Sequence, residues 1–94
     1  MQGILDDNFF SVRIERATET ERRYLAAMAN PGEGPYKSGE VTREAGYAAT
    51  TETGPLRDAL IKKGIIYSPR HGEIAFTAPH FADFMRRTFP TNAT

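Results

Sequence analysis

Gly32, Gly34, Lys37 and Ser38 are the residues whose types and order most invite a chemical reading, because glycines followed by Lys-Ser are the ingredients of a phosphate-binding loop. The spacing rejects it. Tyr36 stands where glycine must precede the lysine, and Pro35 removes a backbone N–H from the cradle. Pro31 to Lys37 therefore reads as a polar loop, with Ser38 as the N-cap of the next helix. His71 and His80 are nine residues apart on different predicted elements, and the chain has no cysteine. Neither a Ser-His-Asp arrangement nor paired carboxylates can be argued from spacing. The expectation is a protein that is not an enzyme, with no catalytic residues, no metal and no cofactor.

The remaining polar chemistry is charge. Twelve basic and twelve acidic residues cancel over the 94-residue chain, but unevenly. Residues 1–54 hold six basic against nine acidic residues, a balance of −3, and residues 55–94 hold six against three, a balance of +3. That asymmetry points to an anionic partner for the C-terminal half, although a solvated surface would show it equally.

Such a length suits one domain, burying roughly 60 to 65% of its unfolded surface without disulfides or metal. No apolar run approaches the roughly 18 residues that span a membrane. Asp6 and Asp7 lie where a secretory leader would be basic. A cytoplasmic location without membrane association is expected.

The elements that must position these charges can be read from pattern. Residues 5–15 fit a helical stripe through Leu5, Phe9 and Val12, with Asp6 and Asp7 in its first turn; Phe10, Val12 and Ile14 also alternate as a strand would, and a strand could add an edge to a later hairpin. Thr18-Glu19-Thr20-Glu21 is a capping box opening a helix to about Ala29, which buries Tyr24, Leu25 and Met28 and turns Arg22 and Arg23 outward. A short helix from Gly39 to Ala45 stops at Gly46. The next helix is capped by Thr51 or Thr53 and tolerates Pro55 as a first-turn residue. It buries Leu56, Ala59 and Leu60, and pairs Asp58 with Lys62. Two helices joined by a short turn have helix-turn-helix spacing.

Gly64 ends that helix, and Ile65-Ile66-Tyr67 and Glu73 to Thr77 form a hairpin around Ser68-Pro69-Arg70-His71-Gly72, with Ile74 and Phe76 on one face. Ala78-Pro79 opens a last helix with Phe81, Phe84 and Met85 on its apolar stripe and Arg86 and Arg87 as last-turn cations that need no ligand. Residues 88–94 read as a tail, and residues 1–4 as the opposite end. The fold class expected is mainly α (α+β): a winged helix-turn-helix, with a three-helix core, a two-stranded β-hairpin wing and extra N- and C-terminal helices.

Thr50, Thr51, Thr53 and Arg57 would then be exposed near the start of the second helix of the pair, with Lys62 and Lys63 at its end and Arg70 and His71 at the hairpin tip. A helix laid in the major groove with a wing on neighbouring phosphates would use these residues, Arg57 first. Glu52 stands among them and would repel phosphates. Ile61 and the zero net charge favour the alternative, a module that docks on protein.

The residues from Leu60 to Tyr67, Pro69 to Pro79 and Phe81 to Arg87, with Arg16-Ala17-Thr18 and Glu21 to Ala29, resemble the C-terminal winged-helix domain of bacterial AAA-type ATPases. The resemblance runs from about Leu5 to Arg87. It implies a relation to the domains by which replication-initiator ATPases grip duplex DNA, and it brings no catalytic residue. The partners it implies are duplex DNA or, alternatively, the parent ATPase domain or another protein.

Overall fold

A computed structural model of the chain describes residues 10–89. Those residues form an α+β domain of five helices and a three-stranded antiparallel sheet. In chain order they are α1 (helical over 10–15), α2 (Glu19–Ala29), β1 (Tyr36–Lys37), α3 (Ser38–Glu44), α4 (Thr50–Lys62), β2 (Ile66–Tyr67), β3 (Glu73–Phe76) and α5 (Phe81–Thr88).

The helical alternative holds for residues 10–15, but with a different buried face. Phe10 and Ile14 enter the core and Val12 is exposed, because an i, i+4 pair sits on one side of a helix and Val12 lies between them. Leu5, Asp6, Asp7 and Phe9 fall outside the described residues.

α2 opens on the expected capping box: the Glu21 N–H donates to Thr18 Oγ1 at 3.1 Å, and the Thr18 N–H donates to Glu21 Oε1 at 2.9 Å. Tyr24, Leu25 and Met28 are buried, as are Ala26, Ala27 and Ala29. Burial of every residue from Tyr24 to Ala29, large on one side and alanine on the other, goes with α3, α4 and α5 all packing on α2, which makes it the axis of the core.

The hairpin gains a third strand. β1 pairs with β3 in the register Tyr36↔Ile74 and Lys37↔Glu73, while β2 pairs with β3 through Ile66↔Phe76 and Tyr67↔Ala75. The stretch read as a loop thus ends in two residues of strand, too few to show a period of two and masked by Pro35. Tyr36 meets Phe76 edge-on at 5.9 Å between centroids. Burial, aided by the charge of Glu33 and opposed by Arg86, pushes the Tyr36 phenol up to about 12.

α5 starts two residues later than the Ala78-Pro79 signal suggests. His80 takes the left-handed backbone region at φ 69° and serves as N-cap, so Pro79 stays outside the helix. Phe81 stacks on Phe76 at 5.1 Å, and Phe10 lies against Phe81 at 4.9 Å and Phe84 at 5.2 Å. Arg86 Nη1 donates to the Ala29 carbonyl at 3.0 Å, which satisfies an end of α2, and Arg87 Nε meets Asp83 Oδ2 at 3.3 Å. Thr88, expected to open a tail, is the last residue of α5, and the Phe89 N–H bonds to the Met85 carbonyl, while residues 1–4 and 90–94, read as ends, fall outside the described residues. Among the described residues no helix is long and apolar enough to cross a membrane.

Candidate nucleic-acid interface

α3 and α4 are joined by a short turn closed by Gly46 at φ 95°. The caps differ from the sequence expectation. Ser38 is the first residue of α3 rather than its cap; Lys37 holds the cap position, and the Ser38 side chain is buried. α4 begins at Thr50 behind Ala49, not at Thr51 or Thr53. Ala49 has no side-chain acceptor, so only the return half of a capping box forms: Glu52 Oε1 accepts from the Ala48 N–H at 3.0 Å and the Ala49 N–H at 3.4 Å. The carboxylate expected to repel phosphates is thus bound to the entry of its own helix. Because α4 starts early, Pro55 lies inside it rather than in the first turn, leaving the Thr51 carbonyl without a helical donor at an exposed position where water can reach.

The eight residues singled out for DNA contact separate on the structure. Thr53 is withdrawn: it is 1% exposed, and its Oγ1 lies 2.8 Å from Thr42 Oγ1. It occupies the same helical stripe as Leu56 and Leu60, which face α2 and the core. Lys63 is committed elsewhere, its Nζ 2.6 Å from Glu21 Oε1 at the start of α2. The side chain of Thr50 lies outside the described ones. Thr51, Lys62, Arg70 and His71 are exposed, and Arg57 is half-buried. The Asp58–Lys62 pair does not form; Asp58 Oδ1 instead faces Arg57 Nε at 4.0 Å, a separation at which an exposed pair adds little. Besides Thr51 and Lys62, α4 exposes Glu52, Pro55, Asp58 and Ile61, so this helix mixes both signs with apolar surface.

The hairpin turn is internally braced. Ser68 Oγ lies 2.8 Å from the Arg70 carbonyl and 2.9 Å from that of Glu73, the Glu73 N–H donates to the Arg70 carbonyl at 3.0 Å, and Gly72 supplies φ 81°. A further bond runs from the Ser38 N–H to the Gly72 carbonyl at 2.9 Å, tying the turn to the start of α3. Ser38, Arg57, Ser68, His71 and Glu73 consequently line one polar cleft of about 450 Å³ between the helix pair and the hairpin. Sequence reasoning missed Ser38, Ser68 and Glu73 here, because the cleft is made by the β1–β3 pairing together with the packing of α3 and β2 on α4, which no local pattern announces.

Arg57 also acts beneath the cleft. The Tyr24 hydroxyl is buried and has no hydrogen-bond partner among the described residues. Burial raises its pKa, and the positive charge of Arg57 offsets part of that rise. Among the described residues no group of three or more His, Cys, Asp or Glu side chains could hold a metal ion.

No curated protein and no solved structure matches the chain. A family model does, over residues 7–85, which takes in every element from α1 to most of α5. The chain belongs to the family described as a domain of unknown function, DUF8462.

Proposed function

We propose that this domain is a winged helix that binds duplex DNA without catalysing a reaction, as the C-terminal appendage of a bacterial AAA-type ATPase. The observation that carries the reading is that Arg57 of α4 and His71 of the hairpin turn line the same cleft, so the helix and the wing share one surface. The chain order of helix, strand, two helices and hairpin supports the winged-helix assignment. Thr51, Arg57, Lys62, Arg70 and His71 are the contacts, with Arg57 and Arg70 first. About three phosphate contacts predict a slope near −3 for log affinity against log salt. Anisotropy of a labelled duplex from low to moderate salt tests it. A flat response rejects DNA binding, and undiminished binding by the Arg57→Ala, Arg70→Ala double variant rejects this surface as the place where DNA binds.

One observation favours a second reading. Ile61 is 37% exposed on a helix that also exposes Glu52 and Asp58, a surface better suited to docking on a protein, such as the parent ATPase domain, than to a phosphate backbone. Absence of duplex binding together with a changed ATPase rate on adding the domain back selects it.

A further inference from the structure

We propose that the cleft between α4 and the hairpin is a seat for one phosphodiester group, with the Arg57 guanidinium, the Ser38 hydroxyl and the His71 ring as its donors. The inference rests on the DNA reading above and deepens it, by assigning Arg57 to the backbone rather than to a base edge.

Ser38 is the most telling residue. It is 8% exposed as a residue, it lines the cleft, and its hydroxyl, which is not fully buried, makes no hydrogen bond to any described residue and so is open to a ligand. Its own N–H is spent on the Gly72 carbonyl, so the hydroxyl is the group left to offer. Among the described residues the one ion pair of Arg57 is the 4.0 Å approach of its Nε to an exposed Asp58, and no hydrogen bond holds its terminal nitrogens, which leaves the fork for an anion. His71 enters from the hairpin, making the seat a junction of three elements. Glu73 also lines the cleft, and its carboxylate repels a dianion more than a monoanion. A diester carries one charge, so a backbone phosphate fits better than free inorganic phosphate. A volume of about 450 Å³ leaves room for the flanking sugars.

The whole domain is titrated with a labelled duplex over a range of salt, and its amide spectrum is followed with dimethyl phosphate and, separately, inorganic phosphate. Arg57→Gln is expected to reduce the magnitude of the salt slope by about 0.9. Arg57→Lys restores the slope without restoring the affinity, since it keeps the charge and loses the fork. Ser38→Ala weakens binding roughly tenfold at an unchanged slope, because a neutral donor to a charged acceptor is lost. Dimethyl phosphate shifts the Ser38, Arg57 and Gly72 amides more than inorganic phosphate does. Duplex binding that survives Arg57→Gln and Ser38→Ala with affinity and slope intact overturns the seat while leaving DNA binding standing. Shifted amides without duplex binding keep the seat and overturn the DNA reading. Neither response overturns both. Should Ser38→Ala unfold, the half-exposed Arg57 pair of variants decides alone.

Discussion

Lys63 Nζ lies 2.6 Å from Glu21 Oε1, so the end of α4 is fastened to the first turn of α2 across 42 positions of sequence. The two partners are unequally exposed: the Glu21 side chain is 7% accessible and that of Lys63 30%. Glu21 simultaneously accepts from the Thr18 N–H, so one carboxylate closes a helix cap and an interhelical bridge.

Breaking the bridge from its two sides should cost unequal amounts. Lys63→Met leaves a buried carboxylate without its cation, and is expected to destabilise by about 2 to 3 kcal/mol, somewhat under a fully buried pair. Glu21→Gln leaves a lysine able to turn to water, and is expected to cost about 1 kcal/mol. Urea unfolding of both variants checks the order, and a larger loss in Glu21→Gln contradicts it.

The same pair sets an acid response. Burial alone would raise the Glu21 pKa, but the hydrogen bond from Lys63, the Thr18 N–H and the Lys63 charge outweigh it and hold the carboxyl below its ordinary value of 4.5. A pKa lowered by folding contributes stability above the unfolded value and loses it as pH falls through the folded one. Thermal melts between pH 7 and pH 3 should therefore show a loss beginning near 4.5, and Glu21→Gln should lose less than the wild type over that window.

Thr42 and Thr53 set the relation of α3 to α4 with a 2.8 Å bond between hydroxyls that are both in 1% exposed residues. Thr53→Val strands the Thr42 hydroxyl and is expected to cost about 1 to 3 kcal/mol. Adding Thr42→Val should recover part of it, with a coupling of about 1 kcal/mol in the double-mutant cycle. Additive losses would mean that the bond contributes nothing.

Tyr24→Phe should behave in the opposite way. Its hydroxyl is buried without a partner among the described residues, so removal is expected to leave stability unchanged or raise it by up to about 1 kcal/mol. A melting temperature several degrees lower would reveal a bound water at that oxygen.

Local chemistry is legible in the sequence, and distant pairing is not. The Thr18-x-x-Glu21 spacing announces a cap whose two bonds both form, and Ser68 to Gly72 announces the turn between β2 and β3. Thr53 departs from its expected exposure, yet its stripe is readable: stepping back three from Leu56 puts it with Leu60 on the buried side, and only its polarity argues for the surface. Glu52 is ambiguous because a carboxylate at the third position of a helix has two roles, and the Ala49 start decides for the cap. The Glu21–Lys63 bridge and the β1–β3 pairing join residues 42 and more than 30 positions apart, where no period or cap leaves a trace.

Two-stranded hairpins are marginal on their own in water. Here the turn between β2 and β3 is anchored from outside, by β1 along one edge and by the Ser38 N–H on the Gly72 carbonyl. Arg70 and His71 are therefore presented on a scaffold already in its final place relative to α4. A partner that meets both surfaces need not freeze a loose flap first, and keeps as affinity the entropy that such ordering would consume.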